Sequence, residues 1–319
     1  MNAPGWLTPR VAVITLNWNG RNDTIEWASS LGKLNYSNYS LVVVDNGSSD
    51  GSVAALREQY PELTVIENGR NLGYAEGFNV GLKYAYEQGA DYILIMNNDT
   101  VAAPDCLTAL VEMAETDPCI GFVSGKVYYY QEPNRLQTAG KLNHPILLVK
   151  ELVGRNEIDT GQYDEVKEYD YLDDIYLLVR RRAYEETGGY DPSFFLYYEE
   201  TDWCARVRRA GYKLVYTPEA KVWHKHGMST GGEKSPTFVY YNARNQIVFM
   251  RRNTSSGHFA RYLGYLATSS PRRMLRWVKH RRFSLLSAYV RGVGSGILWL
   301  IKDGQRGSIY ISSPRAEEV

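Results

Sequence analysis

Glu199, Glu200 and Asp202 place three carboxylates within four positions, directly after the apolar run Phe194-Phe195-Leu196-Tyr197-Tyr198. Apolar surroundings and like charges both raise a carboxyl pKa, which suits one of these acids to act as a general base near neutral pH. The same acids could complement the macrodipole of a following helix, and the two duties are compatible. Asn97-Asn98-Asp99 sets a carboxylate among amide oxygens, a seat for Mg2+ or Mn2+, which take hard oxygen ligands and share them with phosphates. Its plainer alternative is a turn leading to a helix after Pro104. Asp45, followed by Asn46-Gly47-Ser48-Ser49-Asp50-Gly51, can accept hydrogen bonds from a base imide or from ribose hydroxyls, or can simply close a strand-to-helix turn. His224 and His226 stand two apart, so that one imidazole could meet a metal while the other stays in solvent. Asn71-Leu72-Gly73 and Asn79-Val80-Gly81 put asparagines and glycines at a helix start, where backbone N–H groups can approach a phosphate closely.

Something must hold these groups together. Residues 11–16, 41–44, 64–66 and 92–96 are short, β-branched-rich runs bounded by polar turns, the pattern of strands buried on both faces. Helical spacing fills 23–31, 52–60 and 75–86 between them. Strand–helix alternation predicts a mostly parallel sheet with helices on both faces, whose ligand crevice lies beyond the carboxyl ends of the strands. Asn17, Asp45 and Asn97 each follow such a run at once, so their loops should meet at one sheet edge. Further strands are expected near 121–129 and 171–179, a helix near 201–210, and helices from about 236 onward.

The chain of 319 residues can bury a full core, and its three scattered cysteines suggest neither a disulfide framework nor a zinc cluster. The first ten residues lack the apolar run of a secretory leader, and a cytoplasmic setting is the expectation. Residues 285–301 come nearest to a membrane span but are interrupted by Arg291 and three glycines. A net charge of zero conceals an asymmetry: residues 1–250 carry 23 Lys/Arg against 33 Asp/Glu, and residues 251–319 carry 13 against 3. The basic, aromatic-rich stretch 251–306 is expected to meet an anionic membrane surface; no nucleic-acid motif accompanies it.

The motifs in order are Val11 to Gly20 with its Asn17-Trp18-Asn19-Gly20 end, Val43 to Gly51, Asn71 to Gly81, Asn97 to Thr100, Gly188-Gly189-Tyr190-Asp191, Glu199-Glu200-Thr201-Asp202, and His224. This ordered set resembles the family 2 glycosyltransferases, and within them the rhamnosyltransferase-like branch, from about residue 10 to 252. The resemblance implies a GT-A fold: a Rossmann-like, mostly parallel central sheet with helices on both faces, here followed by a helical basic C-terminal extension. It divides the chain into a catalytic region 1–235, with a nucleotide half over 10–100 and an acceptor half over 101–235, and a C-terminal region 236–319. It implies an inverting, metal-dependent transfer of a sugar from a nucleoside-diphosphate donor, rhamnose from dTDP-rhamnose being the expected case. The acceptor would be a hydroxyl of a saccharide or polyprenyl-linked saccharide in bacterial cell-surface polysaccharide synthesis, on the inner face of the plasma membrane.

By the same resemblance Leu16, Asn17, Asp45, Asn71, Gly73, Asn79, Asn98 and Asp99 line the nucleotide-sugar site, with Asp45 at the base. Asp99 and His224 hold Mg2+ or Mn2+, with His226 as the alternative imidazole. Glu200 is the base, with Glu199 and Asp202 beside it. Two departures stand out: Asn97 replaces the first acid of the metal motif, and Glu200 stands where Asp is common. The competing readings are a sugar nucleotidyltransferase, which would carry a Gly-rich basic signature near the N-terminus, and a non-catalytic sugar-nucleotide-binding protein. Oligomeric state is left open, a dimer included.

Overall fold

The computed structural model describes residues 8–225 and 235–302. Four parallel strands, Val11–Asn17 (β1), Tyr39–Asp45 (β2), Thr64–Glu67 (β3) and Tyr92–Met96 (β4), alternate with helices Arg21–Leu31 (α1), Ser52–Gln59 (α2) and Tyr74–Glu87 (α3). Their side chains go to two different cores. Ala12, Ile14, Ile93 and Ile95 face one, while Val11, Val13, Tyr92, Leu94 and Met96 face the other. Because both faces are covered, every position of such a strand must be apolar, and the alternation that marks a half-exposed strand disappears.

Next come Thr100–Ala102 (β5), Cys106–Glu115 (α4), Ile120–Tyr129 (β6) and Glu132–Thr138 (β7). A hairpin of Lys141–His144 (β8) and Leu148–Leu152 (β9) stands off the main sheet as its own two-stranded pair. The short Lys167–Glu168 (β10), Tyr176–Arg180 (β11), Arg181–Thr187 (α5), Glu199–Arg209 (α6) and Lys213–His224 (β12) complete the catalytic body. The ten-stranded sheet runs β10-β12-β6-β11-β4-β1-β2-β3, with β5 on β12 and β7 on β6.

Direction decides where the site lies. β11 is antiparallel to both β4 and β6, with Tyr176 opposite Met96, so the segment entering β11 starts at the edge where β4 ends. β12 runs parallel to β6, and its last residue, His224, pairs with Thr100 and Tyr129 at that same edge. The strand expected from residue 171 begins at Tyr176, because the preceding residues turn toward the crevice and carry Asp173 and Asp174 there.

Three helices follow: Pro236–Asn253 (α7), Ser256–Lys279 (α8) and Phe283–Lys302 (α9). α7 starts where composition turns basic, yet Asn245, Ile247, Val248, Phe249 and Met250 are fully buried, and its apolar members join the core beneath the sheet. α9 spans 20 residues and is long and apolar enough to cross a membrane, by length and composition alone. Cys106, Cys119 and Cys204 are free thiols.

Candidate active site

The loops after β1, β2 and β4 are sewn together by their own amides. Asp45 is buried; its Oδ1 accepts from Asn17 Nδ2 at 2.8 Å, and its Oδ2 accepts from the backbone N–H of Gly47 and Ser48 at 3.1 and 2.9 Å. Thr24 Oγ1 donates to Asn17 Oδ1 at 2.8 Å and receives Asn98 Nδ2 at 2.9 Å, joining the β1 loop to the β4 loop. Asn46, which sequence reading passed over, spends its whole amide: Nδ2 donates to Asn71 Oδ1 and the Gly73 carbonyl, and Oδ1 accepts from Leu72 N and Asn68 Nδ2. Leu16 closes against Gly77, where an added Cβ would stand 2.6 Å from its methyl. Gly73 has φ +84°, and a Cβ there would meet the Phe195 ring at 2.5 Å, so glycine is required twice over. Asn79 exchanges two hydrogen bonds with the Tyr190 peptide, at 2.7 and 2.9 Å, and so serves to fasten α3 to the Gly189-Tyr190 turn.

Asp99 and His224 meet directly, His224 Nε2 lying 3.0 Å from Asp99 Oδ1, with both side chains buried. His224 Nδ1 is 2.9 Å from Gln137 Oε1. With Nδ1–H given to Gln137, the Nε2 lone pair points at a carboxylate oxygen, an arrangement that needs a proton or a cation between the two atoms. Burial pushes the Asp99 carboxyl up, but the contact with His224 outweighs it and holds Asp99 below the ordinary carboxylate range. Among the described residues no group of three or more His, Cys, Asp or Glu could hold a metal, so any ion here would complete its shell from phosphate oxygens and water, as Mg2+ and Mn2+ do. Asn97 accepts from the Tyr74 hydroxyl at 3.0 Å, and Asn98 turns to Thr24. His226 lies outside the described residues.

Glu199 and Glu200 open α6 under unlike conditions. Tyr197 and Tyr198, the two residues before them, both have left-handed φ of 66° and 75°, a strained pair for non-glycine residues. Asn245 of α7 holds the strain by donating Nδ2 to the carbonyls of Leu196 and Tyr197 at 2.9 and 2.8 Å. Glu200 Oε1 accepts from Lys141 Nζ at 2.6 Å and from Thr201 Oγ1 at 2.8 Å, while Lys141 also reaches Asp173 Oδ1 at 2.9 Å. Burial would raise the Glu200 carboxyl, but the Lys141 ammonium overcomes it and holds the group below its usual value. Glu199 is 4% exposed, its Oε2 has no partner, and burial with the nearby Glu200 and Asp174 carboxylates pushes its pKa well up. Asp174, raised to about 7 by burial and by Glu200, accepts from the Tyr190 hydroxyl at 2.6 Å. Adjacent carboxyls pushed in opposite directions in this way suit Glu200 to accept a proton. Asp202 instead accepts from Arg206 Nε and Asn253 Nδ2, both at 2.9 Å, and so ties α6 to α7.

Lys141, the adjacent Asp173 and Asp174, Gln137 and Asn245 carry no sequence motif, and only long-range pairing gives them a role. Gln137 and Lys141 decide convergence. One touches His224 and the other Glu200, yet they are four residues apart, so their Cα atoms are separated by at most roughly 14 Å. Tyr74 makes a second bridge, its hydroxyl lying 3.0 Å from Asn97 Oδ1 and 3.5 Å from the Asp174 carbonyl. Beside Glu200 opens a cavity of about 770 Å3 lined by Lys141, Asp173, Tyr163, Tyr197, Phe238 and Asn242 among others, a size and polar-aromatic lining that suit a saccharide.

The family model for Glycosyl transferase family 2 matches residues 11–188. The chain is 27% identical over 235 residues to the N-acetylglucosaminyl-diphospho-decaprenol L-rhamnosyltransferase of Mycobacterium tuberculosis, covering 67% of this chain and 76% of that one. It is 23% identical over 231 residues to the dTDP-rhamnosyl transferase RfbF of Shigella flexneri, covering 69% and 74%. Among solved structures, the mannosyltransferase PcManGT from Pyrobaculum calidifontis, in complex with GDP-Man and Mn2+, superimposes with a TM-score of 0.56 at 18% identity, covering 97% of this chain and 79% of that one. GalNAc-T7 with UDP, GalNAc and Mn2+ gives 0.60 at 15% identity, covering 82% and 58%. These likenesses establish the GT-A fold.

Proposed function

The chain belongs to glycosyl transferase family 2, and from that premise we propose that it is an inverting, divalent-cation-dependent transferase of rhamnose from dTDP-rhamnose to a saccharide hydroxyl. The observation that carries the reading is the single edge on which the buried Asp99–His224 pair and the ionised Glu200 are joined through residues 137–141. In the reaction the acceptor oxygen attacks the anomeric carbon, the bond from that carbon to the diphosphate oxygen breaks, and the nucleoside diphosphate leaves. The proton of the hydroxyl passes to Glu200. The hydrogen bonds that Glu200 accepts from Lys141 and Thr201 both fall on Oε1, which leaves Oε2 to receive it. Attack opposite to the leaving group inverts the configuration in one displacement.

Asp99 and His224 would hold Mg2+ or Mn2+, which would supply charge neutralisation on the departing diphosphate. Lys141 keeps Glu200 ionised, and Asp45 and Asn17 shape the end of the crevice that takes the nucleoside. The cavity beside Glu200 takes the acceptor, for which the relatives' names support a saccharide or polyprenyl-linked saccharide of a bacterial cell surface. Such an acceptor sets the reaction in the cytoplasm at the inner face of the membrane.

The test is a panel of nucleotide sugars with Mn2+, in which release of nucleoside diphosphate is followed with and without saccharide acceptors. The reading expects turnover with dTDP-rhamnose that ceases on chelation by EDTA. Unchanged activity in EDTA would remove the cation, and turnover confined to another donor would remove rhamnose.

A further inference from the structure

From residue 251 to 302 the chain carries eleven Lys and Arg and no Asp or Glu. The structure arranges these charges around apolar side chains that nothing among the described residues covers. The first half of α8 is fixed to the body: Tyr262 is buried, and His258 Nε2 is 2.9 Å from the Ile146 carbonyl. Its second half, the turn after it and the first residue of α9 expose Leu275 (68%), Val278 and Phe283 among Arg272, Arg276, Lys279, Arg281 and Arg282. α9 continues the surface. Its inner face, with Ala288, Gly292 and Gly296, lies so close to α7 that a Cβ at Gly292 would stand 2.4 Å from the Tyr240 carbonyl. Its outer face presents Val290, Ile297, Leu298 and Ile301 (66%) between Arg291 and Lys302.

We propose that the outer faces of the second half of α8 and of α9 form one docking surface for an anionic lipid bilayer, lying in the plane of the headgroups. Basic side chains reach phosphate while the aliphatic ones enter the acyl boundary, as in interfacial amphipathic helices. A second copy of the chain does not fit, because pairing this face with itself would oppose like charges with no acid to separate them. A nucleic acid would use the charges but leave the aliphatic stripe in water, where it needs aromatic faces for stacking. Nor does α9 span the bilayer, since its inner face is spent on α7 and Arg291 sits along it. The surface is one helix removed from the acceptor cavity: α9 packs on α7 at Tyr240, between the cavity-lining Phe238 and Asn242. Docking would therefore hold the cavity beside the membrane, within reach of an acceptor whose saccharide is tethered to lipid.

This inference stands on the helices and not on the transfer reaction, so the two can fail separately. The full chain is floated with phosphatidylcholine vesicles prepared with and without phosphatidylglycerol, at low and high salt. Two variants accompany it, Ile297→Ser/Leu298→Ser/Ile301→Ser and Arg276→Glu/Lys279→Glu/Arg282→Glu. The proposal expects at least about tenfold stronger partitioning onto the anionic vesicles at low salt, weakened by salt, with about a fivefold loss for each basic residue removed. The serine variant should also lose binding, and both variants should keep wild-type nucleotide binding and turnover on a water-soluble acceptor. Absence of wild-type flotation on anionic vesicles at low salt overturns it. So does flotation undiminished in both variants, a dimer dissolved by the serine variant without lipid binding, or capture of RNA in preference to vesicles.

Discussion

Glu200 is a carboxylate pulled two ways, raised by burial and lowered by Lys141, and the ammonium prevails. Two predictions belong to this pair. Glu200→Gln keeps the hydrogen bonds at Oε1 but cannot take a proton, so kcat should fall by at least ~10²-fold with nucleotide affinity unchanged; near-normal turnover would take Glu200 out of the role. Lys141→Met removes the strongest of the forces that oppose burial, leaving the Thr201 hydrogen bond. In the wild type the base is ionised from below the usual carboxylate range upward, and activity is lost only as pH falls through that lowered value. In the variant the acid limb of the kcat profile should move to higher pH, a displacement that a purely structural lysine would not produce. Neither Lys141 nor Asp173 has a sequence signature, since a lone lysine after a glycine and a pair of aspartates before a strand are ordinary anywhere. Their meaning lies in partners 59 and 32 residues away.

At the scale of elements, legibility followed burial. β1, β2 and β4 were readable because a strand covered on both faces must be a continuous apolar run, and the polar residue ending each run then marks the crevice edge. The hairpin β8–β9 and the two-residue β10 were not, because the hairpin is short and stands off the main sheet while β10 forms only against the distant β12. Glu199, Glu200 and Asp202 looked alike in sequence, and helical geometry separates them: two open toward the acid cluster, while Asp202 is bonded to Arg206 and Asn253. α7 is the other element composition conceals, since its basic C-terminal end masks the buried residues 247–250 just before it. Asn245→Ala should expose its consequence. Two half-buried carbonyls lose their donor beside the strained Tyr197 and Tyr198, which should cost about 1 kcal/mol of stability by thermal or chemical denaturation. It should also lower kcat more than nucleotide affinity, because the loop it holds leads into Glu200. Equal stability and activity would show that the left-handed pair needs no such support.

Over the whole molecule, a ten-stranded sheet brings the loops of its parallel strands, the entry to β11 and the end of β12 to one edge. Family membership and the GT-A fold were legible from the order of motifs, since those of Asn17, Asp45, Asn97 and His224 end strands that topology gathers at one edge, while Gly188 to Asp191 follows α5 and Glu199 to Asp202 opens α6. Donor sugar and acceptor were not legible in that way, because they depend on hydroxyl contacts spread over loops and the cavity rather than on any ordered motif. The central claim is that Asp99 and His224 bind a cation together with the donor's diphosphate while Glu200 serves only the transfer. Calorimetric titration of dTDP, with and without Mn2+, into wild type, Asp99→Ala and Glu200→Gln tests it most directly. Binding should require Mn2+, be lost in Asp99→Ala and survive in Glu200→Gln. Cation-independent binding of equal strength in all three proteins would contradict it.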